Sequence, residues 1–182
     1  MTLIARKPQN RGPAAAAANR AALLAAAREV FAESGLRAPL NAVARRAGVG
    51  QGSLYRHFPD RVALAMAVFE ENVDELEALA AEPGVTLGDL IALLNRHIIG
   101  SSAFVDLVRA EGHGEGIDAL AVRVEQALAA GLATDATGAP AGLTGDDLRL
   151  AVAMVAGAVT GIPAASRAQV ADRAWELLGF RL

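Results

Sequence analysis

Residues 40–58 read LNAVARRAGVGQGSLYRHF, and the fold turns on this stretch. Leu40, Val43, Ala44 and Ala47 recur at spacings of three and four, which marks a short helix with one apolar face. Pro39 suits its first turn and Gly48 its end. A tight interhelical turn needs a left-handed backbone, which glycine adopts without a Cβ clash. Val49 is the apolar plug under that turn. A second helix opens at Gln51 and ends at Phe58, before Pro59. Leu54 and Phe58 are four apart and point inward, which leaves Gln51, Ser53, Arg56 and His57 for other faces. Gly52 and Ser53 are small enough to let the helix N-terminus approach a groove closely. Two short helices joined by Gly-Val-Gly make a helix-turn-helix pattern.

Outward from this motif the same periodicity continues. Leu23, Leu24, Ala27 and Phe31 predict a preceding helix, capped by Asn19 and closed by Gly35. Residues 1–18 are expected to be a disordered basic arm, with Arg6, Lys7 and Arg11 as possible minor-groove contacts. Asp60 can cap a long fourth helix whose apolar positions are Val62, Met66, Phe69, Val73, Leu76 and Leu79 or Ala80. Thr86 with Asp89, and Thr144 with Asp147, are capping-box-like starts. Leu87, Leu90, Ile91, Leu94 and Ile98 form the apolar face of the helix that ends at Gly100. Further helices are expected over 102–110, 117–130, 144–161 and 166–178, with a Gly/Thr/Pro loop at 131–142. No strand pattern is present. The expectation is an all-α chain of about nine helices, with a three-helix helix-turn-helix domain at 19–65 and a helical body at 66–182.

Composition agrees. Alanine, the best helix former and a poor strand residue, fills 43 of 182 positions. There is no cysteine, which excludes a thiolate nucleophile, a disulfide framework and every Cys-ligated metal site. The longest apolar run, residues 150–165, is broken by Thr160, Gly161 and Pro163 and falls short of the ~20 residues a membrane span needs. The first residues, MTLIARKPQNRG, lack the apolar core of a signal peptide, so a soluble cytoplasmic protein is expected. The net charge of −3 hides an asymmetry. Residues 1–65 hold ten Lys/Arg and three Asp/Glu, while residues 66–182 hold seven Arg and seventeen Asp/Glu. A basic module that meets a polyanion and an acidic body that does not would produce this split.

The run from Ala42 to Leu64, AVARRAGVGQGSLYRHFPDRVAL, resembles the DNA-binding domain of the TetR family of transcriptional regulators. LYRHF followed by PDR is its most diagnostic part, and the FAESGLRA segment fits the family's first helix. The resemblance covers residues 19–65; beyond them only length and helical character match. It implies a homodimer, a three-helix DNA-binding domain and a body with a small-molecule pocket, whose ligand weakens operator binding. By position it places Gln51, Gly52 and Arg56 at the groove, with Asn41 as a further base or phosphate contact. Ser53, Tyr55, His57 and Arg61 would hold the DNA backbone, supported by Arg45 and Arg46. Three positions depart from the family pattern. Gly50 precedes the recognition helix where Ser or a Glu-like residue is usual, Ala38-Pro39 replaces a Thr, and Arg61 replaces a Lys. Gln pairs bidentately with adenine, whereas Tyr, His and Arg suit phosphate oxygens.

Related proteins hold their pocket among the middle helices. Here those helices present Phe69, Val73, Leu94, Asn95, Ile98, Phe104, Leu107, Val108, Val124 and Leu128, which suit a largely apolar ligand of modest size. The helix from Leu150 is apolar on nearly every side, so it must be buried on every side. One side can be covered by its own chain and the other by a second copy. Leu150, Met154, Gly157, Ala158 and Gly161, with Val170, Ala174, Leu177 and Leu178 of the last helix, form the expected dimer interface. The two glycines are expected to share one face. No cofactor and no membrane partner are expected. Two other classes remain open at this point. One is a helical interaction module without DNA binding. The other is a metal-dependent enzyme using Glu111, His113 and Glu115 with Asp106 and His97, although no His-x-x-x-His pair supports it.

Overall fold

The computed structural model describes residues 12–100, 115–134 and 139–180. Eight helices occur among the described residues. α1 spans Pro13–Ser34, α2 Leu40–Arg46, α3 Gln51–His57, α4 Arg61–Ala80, α5 Leu87–Gly100, α6 Glu115–Thr134, α7 Gly145–Val159 and α8 Ala164–Leu177. The helix expected over 102–110 lies outside the described residues.

Side-chain capping sets the starts of α4, α5 and α7. Asp60 accepts the Ala63 N–H at 2.7 Å and starts α4. Thr86 and Asp89 cap α5 reciprocally: the Asp89 N–H donates to Thr86 Oγ1 at 3.2 Å and the Thr86 N–H donates to Asp89 Oδ2 at 2.9 Å. Thr144 and Asp147 form the same box at α7. The largest departures from expectation are at α1 and α6. α1 begins at Pro13, six residues before Asn19, because a first-turn proline followed by five alanines is a stronger start than an Asn cap. α6 runs on to Thr134 through Gly131, where a loop was expected. Gly131 is a close-approach residue: a Cβ there would lie 2.5 Å from Leu90 Cδ1, so the glycine lets α6 pack on α5.

The helices enclose two apolar cores. The first joins α1, α2, α3 and the start of α4 around Leu23, Leu24, Phe31, Val43, Leu54, Phe58 and Leu64, all at most 3% exposed. The second joins the rest of α4 to α5, α6, α7 and α8 around Leu76, Leu90, Ile91, Leu128, Val155 and Trp175. α4 belongs to both, and Met66 packs against each. α4 buries Leu64, Ala65, Ala67 and Val68 toward the first core and leaves Val62, expected on its apolar face, exposed. α1 lies across the start of α4 and fixes which face turns inward.

Trp175 centres the second core. Its indole N–H donates to Asn95 Oδ1 at 3.1 Å, and Asn95 Nδ2 donates to Asp172 Oδ1 at 2.8 Å. Phe180 meets the indole edge-on at 5.1 Å. Both polar groups at this depth are thereby satisfied, as burial requires.

Candidate nucleic-acid interface

Gly48 has φ +65°, so the turn between α2 and α3 uses the left-handed backbone that glycine supplies. Val49 packs half-buried beneath it. Gly50 precedes α3 with no side-chain cap, and its carbonyl accepts the Ser53 and Leu54 N–H groups instead. Leu54 and Phe58 are buried at 0% and 3% exposure and anchor α3. Gln51, Gly52, Tyr55 and Arg56 lie on the opposite arc and are exposed, with Ser53 and His57 half-buried at its flanks. Tyr55 presents a ring that is 47% exposed, unusual for an aromatic with no interior role. A Cβ at Gly52 would meet nothing within 4 Å, so that end of the helix is bare. Arg56 Nε donates to the Gly52 carbonyl at 3.1 Å, which folds its guanidinium back over the helix start and leaves four N–H donors for other partners. Asn41 and Arg45 are exposed on α2, and Arg61 is half-buried at the start of α4.

The basic residues of the module divide into two sets. Arg46 acts as a strut: it holds Glu29 at 2.7 Å and Glu33 at 3.0 Å, clamping α2 to α1. Its hydrogen bond, then its charge, hold the Glu33 carboxyl below the usual range. Arg28 pairs with Glu71 at 2.8 Å, and Arg20 stands 3.7 Å from the same carboxylate and stacks over Phe58. Arg37, Arg45, Arg56 and Arg61, by contrast, form no ion pair with a described residue. Of these, Arg56 lies on the exposed arc of α3, Arg45 on α2, Arg61 at the start of α4 and Arg37 between α1 and α2. Sequence alone counted all these arginines together; two acidic residues four positions apart on α1, Glu29 and Glu33, were the available sign that Arg46 is spoken for.

In the body, Val73, Leu94, Ile98, Val124 and Leu128 are buried in the second core, Phe69 packs half-buried against it, and Asn95 serves Trp175. Phe104, Leu107 and Val108 lie outside the described residues, as do Asp106, Glu111 and His113. No group of three metal-ligating side chains occurs among the described residues. His97 instead meets Glu75 at 3.0 Å across α5 and α4. Burial pushes its pKa down, and Glu75 opposes this.

On α7 and α8, Leu150 is 58% exposed, Met154 51% and Leu177 72%. Ala158 is exposed, while Gly157, Val170, Ala174 and Leu178 are half-buried. An open groove between the two helices is lined by Ala158, Val170, Ala174 and Leu177 together with Gln169, Asp172, Arg173 and Glu176. One expectation fails here. α7 ends at Val159, and Gly161 sits beyond it in a turn with φ +74°, so Gly157 and Gly161 do not share a helix face. Thr160 is extended and breaks the helix between them.

A compact helix-turn-helix head on an all-α body defines a helical DNA-reading class of protein. Residues 23–68 match the model of bacterial regulatory proteins of the tetR family. The HTH-type transcriptional regulator UidR of Escherichia coli K12 is 32% identical over 100 residues, 51% of each chain. The match thus spans about half the length of the curated relatives. A TetR transcription regulatory protein from Mycobacterium vanbaalenii is 32% identical, with 93% of this chain and 98% of that one covered and a TM-score of 0.50. The TetR regulator SCO0520 of Streptomyces coelicolor covers 90% and 99% at 28% identity, with a TM-score of 0.61. The chain belongs to the TetR family of bacterial regulatory proteins. No helix among the described residues is long and apolar enough to cross a membrane.

Proposed function

We propose that the chain is a sequence-specific DNA-binding transcriptional regulator. It acts as a homodimer and represses by occupying an operator that a small apolar ligand makes it release. The observation that carries this reading is the exposed arc of α3: Gln51, Gly52, Tyr55 and Arg56 stand clear of the core, and Arg56, with Arg45 of α2 and Arg61 at the start of α4, has no ion-pair partner among the described residues. Gln51 is the base reader, with Arg56 and Asn41 beside it. Tyr55, His57, Ser53, Arg45 and Arg61 hold phosphates and fix register. The chain is not an enzyme in this reading.

Two copies meet through α7 and α8, which presents two recognition helices to a near-palindromic operator. Support comes from Leu150, Met154 and Leu177, three large apolar side chains left in solvent on neighbouring helices of one chain. The ligand enters the body near Phe69, Val73, Leu94, Asn95, Ile98, Val124 and Leu128. Those side chains form an apolar interior with Asn95 as its buried polar group. Ligand binding controls DNA only through a difference in affinity between two body conformations. A thermal-shift screen of small molecules, read in parallel against release of a selected DNA duplex, tests the regulatory half. Compounds that stabilise the protein should weaken the DNA complex in proportion to their occupancy. Stabilisers that leave DNA affinity unchanged at every concentration would remove the ligand from the mechanism.

A further inference from the structure

α4 and α5 connect the head to the ligand side of the body, where α1 packs on both. A different contact connects the head to α7 and α8. Arg167 stands in the first turns of α8, and its Nε donates to the Ile162 carbonyl at 3.0 Å. Its NH1 donates to the Ala32 carbonyl of α1 at 3.2 Å, across 135 residues of sequence. Ala32 is in the last turn of α1, where carbonyls lack a helical donor. A cation is favourable at that helix end and unfavourable at the start of α8, where Arg167 is rooted. Both acceptors are backbone oxygens, so the planar fork fixes one main chain against the other. Neither end is loose. The α7–α8 turn is held by Thr160 Oγ1 donating to the Ala156 carbonyl and by the Ile162 N–H donating to Val159. One residue beyond Ala32, Glu33 is clamped by Arg46 of α2.

We infer that Arg167 is a positioning residue that sets the separation of the two DNA-reading heads, by tying the last turn of α1 directly to the α7–α8 hairpin. The inference rests on the dimer reading above. A head held through α4 and α5 alone follows the ligand body. A head also held by Arg167 is referenced to the dimer face itself. The line of rigid contacts runs from α8 to the end of α1, through Arg46 to α2, and across the glycine turn to α3. Losing Arg167 leaves the fold and the dimer intact but lets the heads sample separations that do not match the half-sites. Affinity then falls by the fraction of molecules still at the right separation. One hydrogen bond from a charged donor sets that fraction, so the loss is about tenfold.

The chain has no cysteine, so a single Arg37→Cys substitution places one spin label on each head at an exposed site between α1 and α2. Inter-label distances are measured by pulsed dipolar spectroscopy on the full DNA-free chain, alone and with Arg167→Ala or Arg167→Lys. Affinity for a duplex selected by the unlabelled wild type is measured alongside. The wild-type background should give one narrow distance distribution. Arg167→Ala should broaden it and weaken DNA binding about tenfold, with the dimer mass unchanged. Lysine keeps the charge but cannot fork between two carbonyls, so it should fall between them. A distribution for Arg167→Ala identical to wild type overturns the inference. If the alanine variant does not fold, a lysine distribution equal to wild type overturns it and a broader one supports it. No dipolar coupling in the wild-type background would instead overturn the dimer reading, and this inference with it.

Discussion

The exposed arc of α3 and the exposed face of α7 and α8 are both helix surfaces that one chain leaves uncovered, and their chemistry is opposite. The α3 arc carries an amide, a phenol and a guanidinium beside unpaired arginines, with a bare glycine for close approach. The α7–α8 face carries Leu150, Met154 and Leu177. Water tolerates the first surface, and a polyanion with counterions to release is the partner that gains from it. Water does not favour the second, and an equally apolar surface is its partner. An uncovered helix face thus names the chemistry of what covers it, and two such faces on one chain point to two different partners.

The largest effect should come from making the apolar face resemble the polar one. In the proposed dimer, Leu177→Arg puts a charge where the second copy packs. An unpaired buried charge costs about 3 kcal/mol or more, so dimerisation should weaken by at least about a hundredfold. Light scattering at micromolar concentration should show monomers with an unchanged helical circular dichroism spectrum, since Leu177 is 72% exposed in one chain. A dimer that survives would break the contrast between the faces.

Behind the apolar face, Asn95→Ala strands the Trp175 N–H with no acceptor. Denaturant unfolding should show a loss of about 1–3 kcal/mol. A neutral result would mean that water reaches Asn95, as a solvated ligand cavity allows and a closed core does not.

On the polar face the two kinds of contact should separate. Gln51→Ala should alter which base is preferred by ~1–3 kcal/mol. Arg61→Ala should weaken binding on every sequence and reduce the slope of log affinity against log salt by about 1. Anisotropy titrations over a salt series distinguish them, and identical behaviour of the two variants would dissolve the distinction between reading and holding.

The smallest effect sits between α4 and α5, away from both surfaces. His97 is partly buried and its pKa is depressed below 6.5 in the folded chain, by burial first and against the pull of Glu75. The unfolded chain therefore binds the proton more readily. Stability is full above about pH 6.5 and is lost as pH falls from there through the folded pKa. Thermal melts between pH 7.5 and 5 should show this slope in the wild type and a shallower one in His97→Gln.

The head was legible in the sequence because its constraints are local. Gly48, Leu54, Phe58 and Asp60 each state their role within a few residues, and the resemblance rests on that same run. The capping boxes at Thr86 and Thr144 were legible for the same reason. Gly131 was misread as a stop because its purpose is a neighbour on α5, forty residues away. Gly161 was misplaced on a helix face because Thr160 and Ile162 build a turn that periodicity does not register. Arg46 and Arg167 were hard to read as struts, since their partners are fixed only by tertiary packing, and the Glu29/Glu33 pair was the one sign for Arg46. Arg167 did leave a trace: a cation in the first turns of a helix runs against the macrodipole and has to be useful elsewhere.

Selection of duplexes from a random pool by the wild-type chain, followed by sequencing and the mass of the resulting complex, tests the central claim most directly. The predicted result is a near-palindromic sequence with half-sites about one helical turn apart, roughly 34 Å, or a multiple of it, bound by dimers. Enrichment of no sequence, or equal binding to every duplex at physiological salt, would contradict a sequence-reading regulator.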